Sequence, residues 1–237
     1  MASGGCIVIT GAAGALGSAV ARRLVKDGWA VALLDSPAHV ERGRALASEL
    51  GQRAVAIGVD VAQQGAIEAA LKDLPSSLGD VVGAALIAGG WQGGKPLHEE
   101  ESATWSAMTH TNQETAHASL RALLPGMVDR KRGSVVVVGS RAIERPWTSA
   151  GASAYGATKA AVVALAQAAA AEVLDRGVRI NAILPSTLDT PANRRAMPDA
   201  DPAKWVSLDS CAGVIAFLLS DDARDVSGVA LPVYGRA

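Results

Sequence analysis

The sequence predicts an α/β fold: a doubly wound, parallel, seven-stranded sheet with helices on both faces. Three observations carry this. Short continuous apolar runs alternate with longer helical patterns along the whole chain, the signature of strands buried on both faces. The first run, Cys6-Ile7-Val8-Ile9-Thr10, passes straight into the glycine turn Gly11-Ala12-Ala13-Gly14-Ala15-Leu16-Gly17 and then a helix. The 237 residues hold 25 Gly, two Tyr and one Phe, so the core is built from Ala, Val, Leu and Ile.

The helix after the turn carries Leu16, Val20 and Leu24 on one face and is ended by Gly28. Strand, tight turn and helix make the phosphate-binding element of a Rossmann βαβ unit. The glycines let the backbone approach a pyrophosphate, whose charge is met by amides at the helix start. The second strand, Ala30–Leu34, ends in Asp35, about twenty residues beyond the turn, where a carboxylate accepts hydrogen bonds from adenosine ribose hydroxyls. It would repel a 2′-phosphate, and no Arg or Lys lies in the turn or right after Asp35, so NAD(H) is expected over NADP(H). The plainer role for Asp35 is to cap the next helix, with Pro37 early in it.

A third strand, Ala54–Val59, ends in Asp60-Val61, where Asp60 is placed either to meet the adenine amino group or to cap a helix over Ala62–Asp73. The fourth, Val81–Ala88, runs into the loop Gly89-Gly90-Trp91-Gln92-Gly93-Gly94. A helix of nearly thirty residues, about Ser102–Val128, follows, with Asn112 in its middle and a disturbance expected at Pro125 and Gly126. Ser134–Gly139 is the fifth strand, with Ser140 at its carboxyl end. A turn, Ala150–Ser153, opens the long alanine-rich helix that begins Ser153-Ala154-Tyr155-Gly156-Ala157-Thr158-Lys159 and runs to about Leu174. The sixth strand, Val178–Leu184, leads into a polar loop with four prolines. A helix over Asp209–Leu219 and a last strand, Val229–Val233, complete one domain, 1–237, with a substrate loop at about 186–207.

Tyr155 and Lys159 are four residues apart, so both side chains leave one face of their helix. An ammonium beside a phenol favours the phenolate, and the pairing is expected to pull the tyrosine pKa down toward neutrality. In isolation a YxxxK spacing reads first as a solvated helix face.

Composition narrows the function. Net charge is −1, with no run of basic residues, which excludes the electrostatic footprint of a nucleic-acid binder. Cys6 and Cys211 lie in apolar surroundings without CxxC or His partners and read as core filler in a reducing compartment, with no metal site. No stretch has 18 unbroken apolar residues and Met1 leads into a strand, so a cytoplasmic protein without membrane attachment is expected.

Over nearly its whole length the chain resembles the short-chain dehydrogenase/reductase family. The likeness rests on Thr10-Gly11…Gly17, Asp60-Val61, Ala88-Gly89, Asn112, Ser140, Tyr155…Lys159, Asn181-Ala182…Pro185, Thr190 and Ser227-Gly228, in family order. The resemblance implies an oxidoreductase that uses NAD to interconvert a carbonyl and an alcohol. Tyr155 would be the acid/base, and Lys159 would tune it and hold the nicotinamide ribose. Ser140 would orient the substrate oxygen, and Asn112 would anchor a relay water. Pro185, Leu188 and Thr190 would line the nicotinamide carboxamide. Gly11, Gly14, Ala15, Leu16, Gly17, Asp35, Asp60, Val61, Ala88 and Gly89 complete the cofactor set.

Departures from the family pattern stand out. Ala15 replaces a usual glycine, Leu86-Ile87-Ala88-Gly89 lacks an asparagine, Ser186 follows Pro185, and Ser140 lies 15 residues before Tyr155, so Ser149 or Ser153 could take its place. The glycine–tryptophan loop and Leu184–Pro191 look locally like dihydropteridine reductase, a branch without the serine; Ser140 therefore favours an ordinary ketone or secondary alcohol. Two other readings stay open: a non-catalytic NAD(H)-sensing regulator, and a sugar-nucleotide epimerase, for which the roughly 50 residues after Pro185 are too few. Trp91, Trp147 and Trp205 follow strands four, five and six and could stack a flat substrate, shield loops or fill a subunit contact. Arg141, Arg145, Arg194 and Arg195 could meet an anion or face solvent. A homo-oligomer, dimer or tetramer, is expected, because the Asn112 helix and Ala160–Ala171 offer small-residue faces.

Overall fold

The computed structural model describes residues 4–236. One sheet holds β1 (Cys6–Thr10), β2 (Ala30–Asp35), β3 (Ala54–Gly58), β4 (Val81–Leu86), β5 (Gly133–Val138), β6 (Val178–Pro185) and β7 (Ala230–Val233). The order across it is β3-β2-β1-β4-β5-β6-β7, and every pairing is parallel. The helices are α1 (Ala15–Lys26), α2 (Val40–Leu50), α3 (Ala66–Lys72), α4 (Ser102–Met108), α5 (Thr115–Asp129), α6 (Ser153–Val173), α7 (Pro191–Ala196) and α8 (Leu208–Leu219). The doubly wound sheet expected from the sequence is the fold observed.

Alternate strand residues feed two cores, because successive side chains point to opposite faces. Cys6 and Val8 join Leu120, Leu123, Val162 and Ala166 under α5 and α6. Ile7 and Ile9 join Val20, Leu24, Leu46, Ile215 and Leu218 under α1, α2 and α8. The helix α6 and the turn after it, Ser153–Arg176, are long and apolar enough to cross a bilayer by length and composition. Its apolarity is nevertheless that of a core element, since Val162, Val163, Ala166 and Ala170 are buried against the sheet.

The chain winds from β1 to β2 and β3, then crosses back to β4 on the other side of β1. Beyond the carboxyl ends of β1 and β4 the two crossovers part, and a crevice opens there. Thr10 closes its floor: its Oγ1 accepts both the Ile87 and Ala88 amides at 3.1 Å. This hydroxyl pins the end of β4 in a chain that lacks the family asparagine. At the far edge, Asn181 donates to the Val226 carbonyl and accepts the Val229 amide, while Ser227 Oγ accepts the Ile180 amide. Ser186, in the place of the usual glycine, donates to the Tyr234 carbonyl at 2.7 Å. These bonds hold β7 and the C-terminal segment in register with β6.

One expected element is wrong in an informative way. The long helix is not disturbed at Pro125, which sits inside α5 without breaking it. The irregularity falls at Thr109–Glu114, a π-helical segment between α4 and α5 centred on Asn112. Such segments are frequent at functional sites because they re-aim side chains out of helical register. The expected helix Ala62–Asp73 is also shorter, because Asp60 Oδ1 accepts the Ala62 amide in a turn and α3 begins only at Ala66. Asp60 therefore closes a turn and does not cap the helix.

Candidate functional site

A cleft of about 650 Å³ lies beyond the ends of β1, β2 and β4. It gathers Gly11, Gly14, Ala15, Leu16 and Gly17 from the turn, Asp35 from β2, Asp60 and Val61 beyond β3, and Ala88 and Gly89 beyond β4. Ten of the expected cofactor positions thus share one surface. Gly11 has φ +67°, and a Cβ there would stand 2.9 Å from the Ala88 backbone, so only glycine lets the turn lie against β4. Helix α1 has no side-chain cap and no acidic residue in its first turn. Its leading amides and dipole suit an anion. An apposed glycine floor and an uncapped helix start fit the pyrophosphate of a dinucleotide, and Ala15 disturbs neither.

Asp35 is not a helix cap. α2 begins at Val40, and the carboxylate accepts the Ala13 amide through Oδ2 and the Ser36 amide through Oδ1, each at 2.8 Å. It fastens the glycine turn to β2. A carboxylate offers about four acceptor sites, so lone pairs remain for ribose hydroxyls.

A second cluster adjoins the cleft through Gly89. A Cβ on this residue would lie 2.8 Å from Asn112 Oδ1 and 3.1 Å from Lys159 Nζ, so the loop passes directly over both side chains. Asn112 is buried. Its Oδ1 accepts the Gly90 amide at 3.0 Å, while its Nδ2 donates to the Gly90 carbonyl at 3.2 Å and to Thr158 Oγ1 at 3.1 Å. The amide thus clamps the glycine loop to the YxxxK helix, where the family resemblance implied a water anchor. Lys159 is buried too and donates from Nζ to the Val138 carbonyl at 2.9 Å, at the end of β5.

Ser140 stands two residues further on, and its Oγ accepts the Ala142 amide at 3.2 Å, which leaves its proton free to donate elsewhere. Its hydroxyl lies against the Tyr155 phenol. Of the three candidate serines it is Ser140 that meets the tyrosine; Ser149 packs instead on Gly156, and Ser153 opens α6.

The electrostatics differ from the expected pairing. Burial pushes the Tyr155 phenol above its usual value, and the Ser140 hydroxyl offsets this only in part. Burial pulls the Lys159 amine down to about 8. Desolvation of each group, and not mutual attraction, dominates here, because neither charged form is favoured in the apolar surroundings of α6. The expected lowering of the tyrosine pKa by the lysine is not found.

A match to the short chain dehydrogenase family model spans residues 5–201. The chain belongs to that family. Among curated relatives it is similar to 2,5-dichloro-2,5-cyclohexadiene-1,4-diol dehydrogenase LinX of Sphingobium indicum, 31% identical over 98% of this chain and 96% of the relative. It is also similar to the NADP-dependent 3-hydroxy acid dehydrogenase YdfG of Salmonella typhi, 36% identical over 66% of this chain and 61% of that one. Among solved structures, the 3-ketoacyl-(acyl-carrier-protein) reductase of Brucella melitensis complexed with NADH superposes with TM-score 0.90. That match covers 100% of this chain and 99% of the other at 26% identity. The short-chain dehydrogenase is therefore an oxidoreductase of alcohols or carbonyls that uses a nicotinamide cofactor.

Other expected positions of this short-chain dehydrogenase lie apart from the cleft. Pro185 ends β6 beside β5, while Leu188 and Thr190 follow on the loop. Leu188 bridges Val206, and Thr190 Oγ1 caps α7 by accepting the Asn193 amide at 3.1 Å. Arg194 is paired with Asp189 at 2.6 and 2.9 Å, and Arg145 lies 5.8 Å over the Tyr234 ring. Neither is a free cation aimed at a substrate. Trp91 and Trp147 are 65% and 72% exposed, and Trp205 is half-buried.

Sequence reasoning missed His39, Arg42, His110 and Thr111, which also line the cleft. The turn that carries His39 N back to the Ser36 carbonyl at 2.8 Å swings the first turn of α2 over Asp35. Position 39 is four beyond Asp35 and position 42 three beyond that, a spacing visible only once the turn is known.

Proposed function

We propose that this short-chain dehydrogenase interconverts a ketone and a secondary alcohol with NAD(H), Tyr155 acting as the acid/base. The observation that carries the reading is the adjacency at Gly89: one loop residue belongs to the dinucleotide cleft and packs on Asn112 and Lys159.

The amides of the glycine turn and the start of α1 receive the pyrophosphate, and Asp35 accepts from the adenosine ribose hydroxyls. Its negative charge is the argument for NAD over NADP. Lys159 has three donors, of which one is spent on Val138, so two can reach the nicotinamide ribose. The nicotinamide, when bound, supplies or takes the hydride. Ser140 donates its free proton to the substrate oxygen and fixes the face it presents, as a preorganised oxyanion donor does. Tyr155 then gives that oxygen its proton. A phenol held above its ordinary pKa by burial is a donor at neutral pH, which suits the reduction direction.

Replacing Tyr155 by Phe tests this. Turnover of a carbonyl panel, followed by nicotinamide absorbance, should fall roughly 10²–10⁴-fold, the usual share of general acid–base catalysis. NADH binding, followed by fluorescence, should stay close to the unsubstituted chain. Undiminished turnover in the Phe variant refutes the assignment.

A further inference from the structure

The Asp35 corner of the cleft is not purely acidic. His39 Nδ1 stands 3.4 Å from Asp35 Oδ1, with about half of the imidazole exposed to the cleft mouth. Arg42 lines the same corner from the first turn of α2. Both Asp35 oxygens already accept backbone amides, so the carboxylate is held in place whatever the imidazole does. The other charged or titratable groups around the cleft are Asp60 from the segment after β3, Glu41 on α2, whose carboxylate is occupied by Arg44, and His110 of the π-helical segment, whose Nδ1 is 2.6 Å from Glu114 Oε2.

With a neutral imidazole, the two carboxylates Asp35 and Asp60 face the single cation Arg42. With a protonated imidazole the count becomes two against two, and a cation touches Asp35 itself. The group that would feel this difference is a phosphate esterified to the ribose hydroxyl that Asp35 meets. Resting on the reading of this cleft as the dinucleotide site, we propose that His39 makes cofactor choice depend on pH. Charged, it lets the Asp35 corner accept a 2′-phosphorylated dinucleotide beside the unphosphorylated one; neutral, it leaves Asp35 to reject the phosphate. Arg42 supplies a constant part of the attraction, and His39 the part that switches.

A phosphate monoester loses negative charge on acidification near pH ~6. At a corner left net acidic by a neutral imidazole, this alone would also ease phosphate binding in acid, so the switch is read from the difference between the unsubstituted chain and His39→Gln. Adding one positive charge at contact distance in a solvent-facing cleft is on the order of a tenfold effect.

The test measures dissociation constants of NADPH and NADH by nicotinamide fluorescence at about pH 8 and about pH 6, for the unsubstituted chain, His39→Gln and Arg42→Ala. The ratio of the two constants removes anything that does not touch the 2′ position. The expected result is a shift toward NADPH on acidification that is roughly tenfold larger in the unsubstituted chain than in His39→Gln. In Arg42→Ala, NADPH should be weaker at both pH values with the shift retained. A ratio that does not move in the unsubstituted chain, or that moves equally in His39→Gln, overturns the proposal. If His39→Gln fails to fold, His39→Asn takes its place, and a flat or reversed slope in the unsubstituted chain rejects the switch by itself. Failure of both dinucleotides to bind at either pH rejects the cofactor reading beneath it, a distinct outcome.

Discussion

Replacing Asn112 by Leu should loosen the site and destabilise the fold together. The side chain is fully buried and bonds the Gly90 amide, the Gly90 carbonyl and Thr158 Oγ1, the last of which also donates to the Tyr155 carbonyl at 2.9 Å. Leu matches Asn in branching and offers none of them. A buried hydrogen bond contributes about 1 kcal/mol net, and a partner left unsatisfied costs about 1–3 kcal/mol. Gly90 is partly open to solvent, so water can relieve some of this, and the total comes to about 2–4 kcal/mol. In a chain of this size each kcal/mol moves the melting temperature by about 2–4 °C, which predicts a fall of roughly 5–15 °C. The same loss frees Gly89 from its seat over Lys159, so NADH affinity should drop in the same variant. Differential scanning fluorimetry with and without NADH reads both. Thr158→Val, which removes one bond of the three together with its own bond to the Tyr155 carbonyl, should show a smaller thermal effect with the two Gly90 bonds retained. An Asn112→Leu variant that melts within about 2 °C of the unsubstituted chain would mean the clamp bears no load, and the coupling argued between the glycine loop and the YxxxK helix would fall.

Ser140→Ala should lower carbonyl turnover by roughly 10²-fold with NADH binding retained, because it removes a donor aimed at the substrate oxygen; Ser149→Ala should not. Lys159 has its folded pKa lowered from 10.5 to about 8 by burial, so between those values the unfolded chain binds the extra proton and stability should rise with pH. Urea melts should show that rise near pH 8 and Lys159→Met should lack it, until the buried Cys6 and Cys211 thiols, pushed up to about 12, and the raised Tyr155 oppose it as the pH climbs. We also expect a dimer or tetramer through the outward faces of α5 and α6, where Ala157, Ala164 and Ala168 are exposed. Ala164→Arg should shift light-scattering mass toward smaller species, and an unsubstituted chain that is monomeric throughout removes the prediction.

The strand and helix order was legible in the chain because buried parallel strands read as unbroken runs of Val, Ile and Leu. Local chemistry, the glycine turn after Thr10 and the four-residue spacing of Tyr155 and Lys159, marked the two ends of the site in the same way. These are short-range facts, set by backbone geometry and side-chain period within a few residues. What folding alone decided is which distant groups meet. Asn112 reads as a mediocre helix former until its amide is seen spanning from Gly90 to Thr158, and the π segment that aims it there has no local breaker to announce it. Arg42 and His39 read as ordinary residues at the start of a helix until a turn lays that helix over Asp35. The charge state of Tyr155 was misjudged from sequence for the same reason. Spacing reveals that an amine is near, but only the packing around α6 determines that desolvation outweighs it.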